Sequence, residues 1–321
     1  VVTLEARGPD ISVIVLNYRA WRESARALRS AADAAGHYRI ESIVVDNGSA
    51  DGSVAALREE FPEAAVIGLT KNLGFAAGMN AGICASTGRH ILLLNSDVVA
   101  APESVRDLVD YLSTKPDVGI VAPALVDSEG RCARSFLTRP TRLRIILPFL
   151  AKRAYRSMRG KLGVEPLEVE ATEGAAVLTS REAISRVGLM DERFFFYYEI
   201  VDWCMRMANC GLRVVVLPTS RMEHAGGSST PRVSARIEFK RSEYQLIEKM
   251  SGGPLSRVAQ LRDLSAEVLQ VLFYGISRLF VGRNARVRDK LRVHFQLLRW
   301  FACGMPERLD QSYVARFGGW D

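Results

Sequence analysis

The first half of the chain alternates short apolar runs with segments in which apolar residues recur at helical spacing. "ISVIVLNY" (11–18) is β-branched and apolar over a strand's length and ends on Asn17 and Tyr18. A helix-compatible stretch from Trp21 to Ala35 follows, and then "IESIVVD" breaks into the turn-rich "NGSADGS". "AAVIGL" is a third strand, "GFAAGMNAGICAS" a helix of small residues, and "HILLLNSD" a fourth, buried strand. Strands that alternate with helices are joined by crossovers, so this pattern predicts a parallel sheet. "APESVRDLVDYL" predicts a helix opened by Pro102 and Glu103, since proline and an acid both suit a first turn. "VGIVAPALVD", "AAVLTS" and "LRVVVLPTS" supply later strands, and "DWCMRMANCG" a helix closed by Gly211.

Polar residues gather just after these strands: Asn17, Asp46, Asn47, Asn95 and Asp97. Open α/β sheets bind ligands outside the carboxyl ends of their strands, so a site is expected along that edge. The glycines of "GFAAGMNAG" are spaced GxxxGxxxG rather than GxGxxG, and no GKS or GKT follows. That spacing argues against an ordinary dinucleotide fold or a phosphate loop.

Downstream of His224 the pattern changes. "RIEFKRSEYQLIEKM", "LSAEVLQVLFYGISRLF" and "RNARVRDKLRVHFQLLRWF" are all helical in spacing, which predicts a boundary near residues 230–240. The expected organisation is an α/β domain over 1–231 and a basic, amphipathic helical region over 232–321. Charge follows the same division: the 321 residues carry +7, and from Arg232 onward 16 Lys/Arg against 9 Asp/Glu also give +7. The first 231 residues are therefore neutral in sum, although Arg131 to Gly163 holds ten basic residues and no acid. Such regions favour anionic surfaces. Five cysteines without CxxC spacing predict reduced, mostly structural thiols in a cytosolic setting. No apolar run is long enough to span a bilayer, and Glu5, Arg7 and Asp10 argue against a signal peptide, so a cytoplasmic protein is expected.

Four stretches carry candidate chemistry. Asp46 in "VVDNGSADGS" either shapes a turn or accepts hydrogen bonds from a base or ribose. Asp97 in "LLLNSDVV" follows a buried strand, where one or two protein oxygens can hold a divalent cation while nucleotide phosphates complete its shell. His224 in "MEHAGGSST" is either structural or a second ligand to that metal. In "FFFYYEIVDWC" an aromatic run suited to core packing releases two acids, Glu199 and Asp202, spaced to share one face of a helix.

Taken in order, "VIVLNYRA", "VVDNGSADGS", "NLGFAAGMNAGI", "LLLNSDVV", "EGAAVLTSREA", "GLMDERFFFYYEIVDWCMR" and "EHAGG" resemble family 2 glycosyltransferases of the GT-A fold. The branch they look like is the bacterial rhamnosyltransferase-like one that decorates cell-surface polysaccharides. The resemblance covers roughly Ile11 to Thr230. It implies a Rossmann-like mixed sheet flanked by helices, and an inverting, metal-dependent transfer from a nucleotide-diphosphate sugar, such as dTDP-rhamnose, to a saccharide or lipid-linked saccharide. By position, Asp46 would hold the donor nucleotide with Asn17 beside it, and Asn72, Gly74 and Asn80 would shape the wall. Asn95, Ser96 and Asp97 stand where the family keeps its DxD metal motif. Asp97 would bind Mg2+ or Mn2+, and His224 would approach the same metal or the diphosphate. Lys240 and Arg241 are further candidates for the diphosphate.

The sequence departs from the family at the base. The commonest pattern has two adjacent acids, the second being the usual base, and here that position is Ile200. Glu199 and Asp202 remain as candidates for taking the acceptor's proton. The alternative is a degenerate relative that binds nucleotide sugar or carbohydrate without turnover.

The tail from Arg278 to Arg299 interleaves basic and apolar residues, which suits an amphipathic helix on an anionic bilayer, and "TRLRIILPFLAKRAYRSMRG" has the same character. Both features suit a protein peripheral to the inner face of the cell membrane, the alternative being a solvated helix face or a subunit contact. No RNA- or DNA-binding motif accompanies the charge.

Overall fold

The computed structural model describes residues 8–225, 232–281 and 284–305. The chain divides into two compact units. One comprises Val1–Arg139, Phe149–Phe195 and Glu199–Gly226, the other Pro140–Pro148, Phe196–Tyr198 and the chain from Gly227 on.

The first unit is built on β1 (Ile11–Asn17), α1 (Trp21–Asp33), β2 (Ile40–Asp46), α2 (Ser53–Glu60), β3 (Ala65–Gly68), α3 (Phe75–Ala85) and β4 (His90–Asn95). It continues through β5 (Val98–Ala100), α4 (Ser104–Ser113), β6 (Val118–Val126) and β7 (Phe136–Leu137). Helix α5 (Arg142–Ile146) falls in the second unit, and α6 (Pro148–Arg159), β8 (Leu167–Glu168) and β9 (Ala171–Thr172) lead back to the sheet. The unit ends with β10 (Ala176–Ser180), α7 (Arg181–Val187), α8 (Glu199–Asn209) and β11 (Arg213–His224).

The sheet runs β3-β2-β1-β4-β10-β6-β11-β5, with β8 also on β11. The first four strands are parallel, β10 runs antiparallel between β4 and β6, and β5 and β8 are antiparallel to β11. This is the mixed sheet flanked by helices expected of a GT-A fold. The apolar runs of β1, β4 and β6 are buried nearly throughout because helices cover both faces of the sheet.

The GxxxGxxxG spacing of α3 has a packing cause. A Cβ on Gly78 would overlap Leu16, and one on Gly82 would overlap Ile14. The glycines therefore let the helix lie directly on β1. Strand β11 is longer than the sequence suggests. It pairs with β6 up to Leu217 and resumes at Arg221, with Pro218 in the bulge between. A proline offers no N–H to a ladder, so the bulge falls there and the strand continues to His224. Helix α4 begins at Ser104, later than expected, since Glu103 is left-handed (φ 63°).

The second unit packs α9 (Arg232–Ser251), α10 (Gly253–Val281) and α11 (Ala285–Ala302) with α5. Ile145, Ile237, Ile247, Leu297 and Trp300 are among its buried core.

Candidate active site

The carboxyl ends of β1 and β2 are in register, Asn17 opposite Asp46, and both side chains are buried. The Asn17 amide donates to Asp46 Oδ2 at 2.6 Å, and the Ser49 backbone N–H donates to Oδ1 at 3.0 Å. Asn17 Oδ1 accepts from Ala20 N and Ser24 Oγ, so one amide ties the start of α1 to the carboxylate. A buried carboxylate gripped at both oxygens has a fixed direction, as a group that recognises a ligand's polar edge requires.

The adjoining loop is braced in the same way. Asn47 Nδ2 donates to Asn72 Oδ1 and to Gly74 O, each at 3.0 Å, while Asn47 Oδ1 accepts from Leu73 N at 2.9 Å. Gly74 has φ 91° and ψ 176°, a conformation open only to glycine, and the next amide, Phe75 N, donates to Phe195 O at 2.6 Å. The aromatic run therefore touches this loop through its backbone. Asn80 lies further along α3 and is spent on the segment before that run: it bonds Met190 N and O and Glu192 Oε1.

Past β4 the chain turns through Ser96 and Asp97 into β5, where Val98 pairs with His224 of β11. This register brings two distant candidates together: His224 Nε2 lies 3.4 Å from Asp97 Oδ2, with both side chains about one-fifth exposed. The Asp97 carboxylate raises the His224 pKa above its ordinary value, against a burial effect of opposite sign. Asn95 donates its N–H to Ala175 O, and its Oδ1 is buried without a hydrogen-bond partner among the described residues. An orphaned acceptor of this kind costs about 1–3 kcal/mol unless a ligand supplies a donor.

The pair fits a divalent cation. Two donors each about 2.1 Å from a shared ion, at roughly right angles or a little wider, lie about 3.0–3.4 Å apart. Among the described residues there is no group of three or more His, Cys, Asp or Glu suited to a metal, so most of the shell would come from phosphate and water. Hard cations bound alongside nucleotides are commonly held in this way.

Glu199 and Asp202 open α8, and both are buried. They differ in their surroundings. Asp202 Oδ2 accepts from Arg206 Nε at 2.9 Å, and the same guanidinium donates to Val187 O and Leu189 O, so Asp202 helps fasten α8 to the preceding loop. Glu199 lies instead beside Gly174, where an added Cβ would stand 3.9 Å from Glu199 Oε1 and only 2.9 Å from Ile200 Cγ1. Ile200 is buried against that glycine. The chain reaches Glu199 through Tyr197 and Tyr198, two successive non-glycine residues in the left-handed region (φ 70° and 66°). Each costs roughly 1–2 kcal/mol, and such strain is a frequent mark of functional segments.

Lys240 and Arg241 make ion pairs inside the helical unit, Lys240 with Asp263 at 2.7 Å and Arg241 with Glu238 at 2.5 Å. Sequence reasoning did not assign the bracing done by Asn47, the clearance provided by Gly174, or the hold of Arg206 on Asp202. Only Asn47 carried a signal, its place directly after a strand.

Residues 12–165 match the family model described as Glycosyl transferase family 2. The chain is 28% identical over 212 residues to the N-acetylglucosaminyl-diphospho-decaprenol L-rhamnosyltransferase of Mycobacterium tuberculosis, covering 60% of this chain and 69% of that protein. It is 32% identical over 71 residues to the dTDP-rhamnosyl transferase RfbF of Shigella flexneri, covering 22% and 24%. In fold it is similar to the mannosyltransferase PcManGT from Pyrobaculum calidifontis, solved in complex with GDP-Man and Mn2+. That likeness has a TM-score of 0.55 and 18% identity, and covers 92% of this chain and 88% of that one.

Proposed function

We propose that the chain, whose residues 12–165 match the model of glycosyl transferase family 2, is a glycosyltransferase of cell-surface glycan synthesis, and that it carries out the following reaction. The chain moves a sugar, with rhamnose from dTDP-rhamnose as the leading case, from a nucleoside diphosphate to a lipid-linked saccharide with inversion. The observation that carries this reading is the Asp97–His224 pair, set at the same sheet edge as the Asn17–Asp46 pair. Relatives named for rhamnosyl transfer, one to a diphospho-decaprenol acceptor, support the sugar and the acceptor class.

In this reading Asp46, its oxygens aimed by Asn17 and Ser49, accepts from the nucleoside. The Asn47–Asn72–Gly74 loop holds the wall beside it. Asp97 and His224 would hold Mg2+ or Mn2+, which when bound offsets the charge that grows on the departing diphosphate. His224 must be neutral to serve as a ligand, whereas its raised pKa favours the protonated form beside Asp97. Asn95 offers its orphaned oxygen to a donor on the ligand.

Transfer forms a bond between the acceptor oxygen and the anomeric carbon as the bond to the diphosphate breaks, and the acceptor's proton passes to a carboxylate. Glu199 suits that role better than Asp202, whose carboxylate is committed to Arg206. Base catalysis of this kind contributes roughly 10²- to 10⁴-fold. A second reading, nucleotide-sugar binding without turnover, is favoured by one observation: the usual base position is Ile200, buried against Gly174.

The test is release of nucleoside diphosphate from a panel of nucleotide sugars, with Mg2+ or Mn2+, with and without a lipid-linked saccharide. Acceptor-dependent release that Asp97→Asn and His224→Gln each cut by about 10²-fold or more supports transfer. Metal-dependent donor binding with no release on any acceptor establishes the second reading instead.

A further inference from the structure

Helix α10 is turned inside out relative to an ordinary surface helix. Its acids face inward: Asp263 is buried and bonds Lys240, Tyr244 and Arg262, while Glu267 is buried and bonds His294. Many of its large apolar residues face outward. Leu261, Leu269, Leu272, Phe273 and Ile276 are each more than half exposed, and Val258 and Val268 nearly so. From Val258 to Ile276 the outward positions also include Ser265, Ala266 and Gln270, and no charged residue. A contiguous apolar face of this length is rarely left against water, and it marks an interaction surface.

The charge beside this face selects the partner. Helix α11 packs on α10 and exposes Arg286, Arg288, Lys290, Arg292 and Arg299 against the single acid Asp289. Lys290 Nζ lies 5.5 Å from the centre of the Tyr274 ring, so the cations border the apolar face directly. Phe295 of α11, 59% exposed, extends the apolar surface among them. A second copy of the chain is a poor match. A two-fold contact sets each patch against itself and brings two sets of α11 cations to the same interface. An apolar stripe rimmed by cations matches a bilayer interface, whose acyl boundary takes the apolar side chains while anionic headgroups meet the basic ones. No helix among the described residues is long and apolar enough to cross a membrane, so the fit is to a helix lying in the surface.

We propose that the exposed face of α10, rimmed by the cations of α11, docks the protein on an anionic lipid surface. Sequence reasoning placed the membrane contact on the Arg278–Arg299 tail and on residues 141–160. The structure assigns insertion to α10 and leaves α11 the electrostatic part. The proposal complements the lipid-linked acceptor of the proposed function, but vesicle binding is read without turnover, so either can fail alone.

The experiment is flotation of the full chain with phosphatidylcholine vesicles, with and without phosphatidylglycerol. Three proteins are compared: the unaltered chain, Leu269→Gln/Phe273→Gln, and Arg288→Gln/Lys290→Gln. The altered side chains are exposed, so circular dichroism and elution volume are expected to stay unchanged. The unaltered chain binds only vesicles containing phosphatidylglycerol, and binding weakens with salt. The apolar pair reduces binding at least about tenfold, and the basic pair reduces it about 25-fold, at roughly fivefold per charge. Equal binding by the unaltered chain and the apolar pair overturns the proposal. So does failure of the unaltered chain to bind anionic vesicles at low salt. A concentration-dependent dimer that Leu269→Gln/Phe273→Gln dissolves, with vesicle binding unaffected, assigns the face to a second copy and also overturns it.

Discussion

Gly74→Ala isolates how the donor-side loop is held. A Cβ at this position would overlap Phe195 O and stand 2.8 Å from Phe195 Cδ2, so both backbone and ring must give way. The conformation at φ 91° and ψ 176° is itself closed to alanine, at about 1–3 kcal/mol. Moving the chain also strains the 2.6 Å bond from Phe75 N to Phe195 O, worth a further 0.5–1.5 kcal/mol or so. The expected loss is therefore about 2–4 kcal/mol. Gly52→Ala is the control: φ is 87° there too, but nothing lies within 4 Å of an added Cβ, so only backbone strain of about 1–2 kcal/mol applies. Urea unfolding gives the two losses, and hydrogen exchange of the Phe75 amide reports the bond directly. Gly74→Ala should cost clearly more than Gly52→Ala, release Phe75 protection and weaken donor binding. Equal losses with Phe75 still protected would refute the steric argument.

Glu199→Gln should lower turnover by about 10²-fold or more with little change in stability. Asp202→Asn should cost about 1–3 kcal/mol, because the Arg206 clamp loses its charged partner, and turnover should fall less; near-normal turnover in both variants would remove the acid pair from the mechanism. Burial pushes the Cys204 thiol up to about 11, so alkylation of the native protein at mild pH should label Cys84, Cys132, Cys210 and Cys303 and spare Cys204. Early labelling of Cys204 would show α8 to be more open than described. In the helical unit, burial raises the carboxyls of Glu238 and Glu243. Asp263 is held below the usual carboxylate range: burial alone would raise it, but Lys240, Arg262 and Tyr244 outweigh that effect. Protonating the raised pair favours the fold, whereas the Asp263 contribution is complete above its unfolded value near 4 and lost below it. Exchange of the α9 and α10 amides should therefore show stability rising slightly as pH falls from 7, then dropping below about 4, with the drop blunted in Asp263→Asn.

The sheet was legible in the sequence because its strands are buried on both faces. "ISVIVLN" and "HILLLN" have to be apolar throughout, and the polar residue ending each run marks the edge where β1, β2 and β4 finish. The Asp97–His224 contact was suggested by residue type and by resemblance, not by periodicity. The two residues are 127 positions apart, and their meeting depends on β5 and on a bulge at Pro218, neither of which has a periodic signal. Packing dependences were hidden for a similar reason. A glycine such as Gly174 or Gly78 shows in sequence that a side chain is absent, but not which neighbour occupies the space. Helix α10 is the clearest failure of pattern reading. Helical spacing gives the direction of an apolar face but not whether that face points inward. Here Asp263 and Glu267 take the inner side because Lys240, Arg262, Tyr244 and His294 satisfy them there.

The acid pair shows how the structure redistributes roles that the sequence left equal. At i and i+3 on one helix, Glu199 and Asp202 are interchangeable by spacing, and Ile200 removes the residue that would have decided between them. Arg206 breaks the symmetry. Its guanidinium is fixed by Val187 O and Leu189 O, so it presents Nε to Asp202 in a set direction and holds that carboxylate on the Arg206 side. Glu199 lies instead beside Gly174. It begins the helix directly after the strained Tyr197–Tyr198 turn, which aims the first residues of α8. Restoring an acid by Ile200→Asp tests this division. If Glu199 has taken over the base, the substitution should rescue Glu199→Gln at least tenfold, about 1.4 kcal/mol, because a carboxylate returns next door. Rescue of Asp202→Asn with none of Glu199→Gln would reverse the assignment.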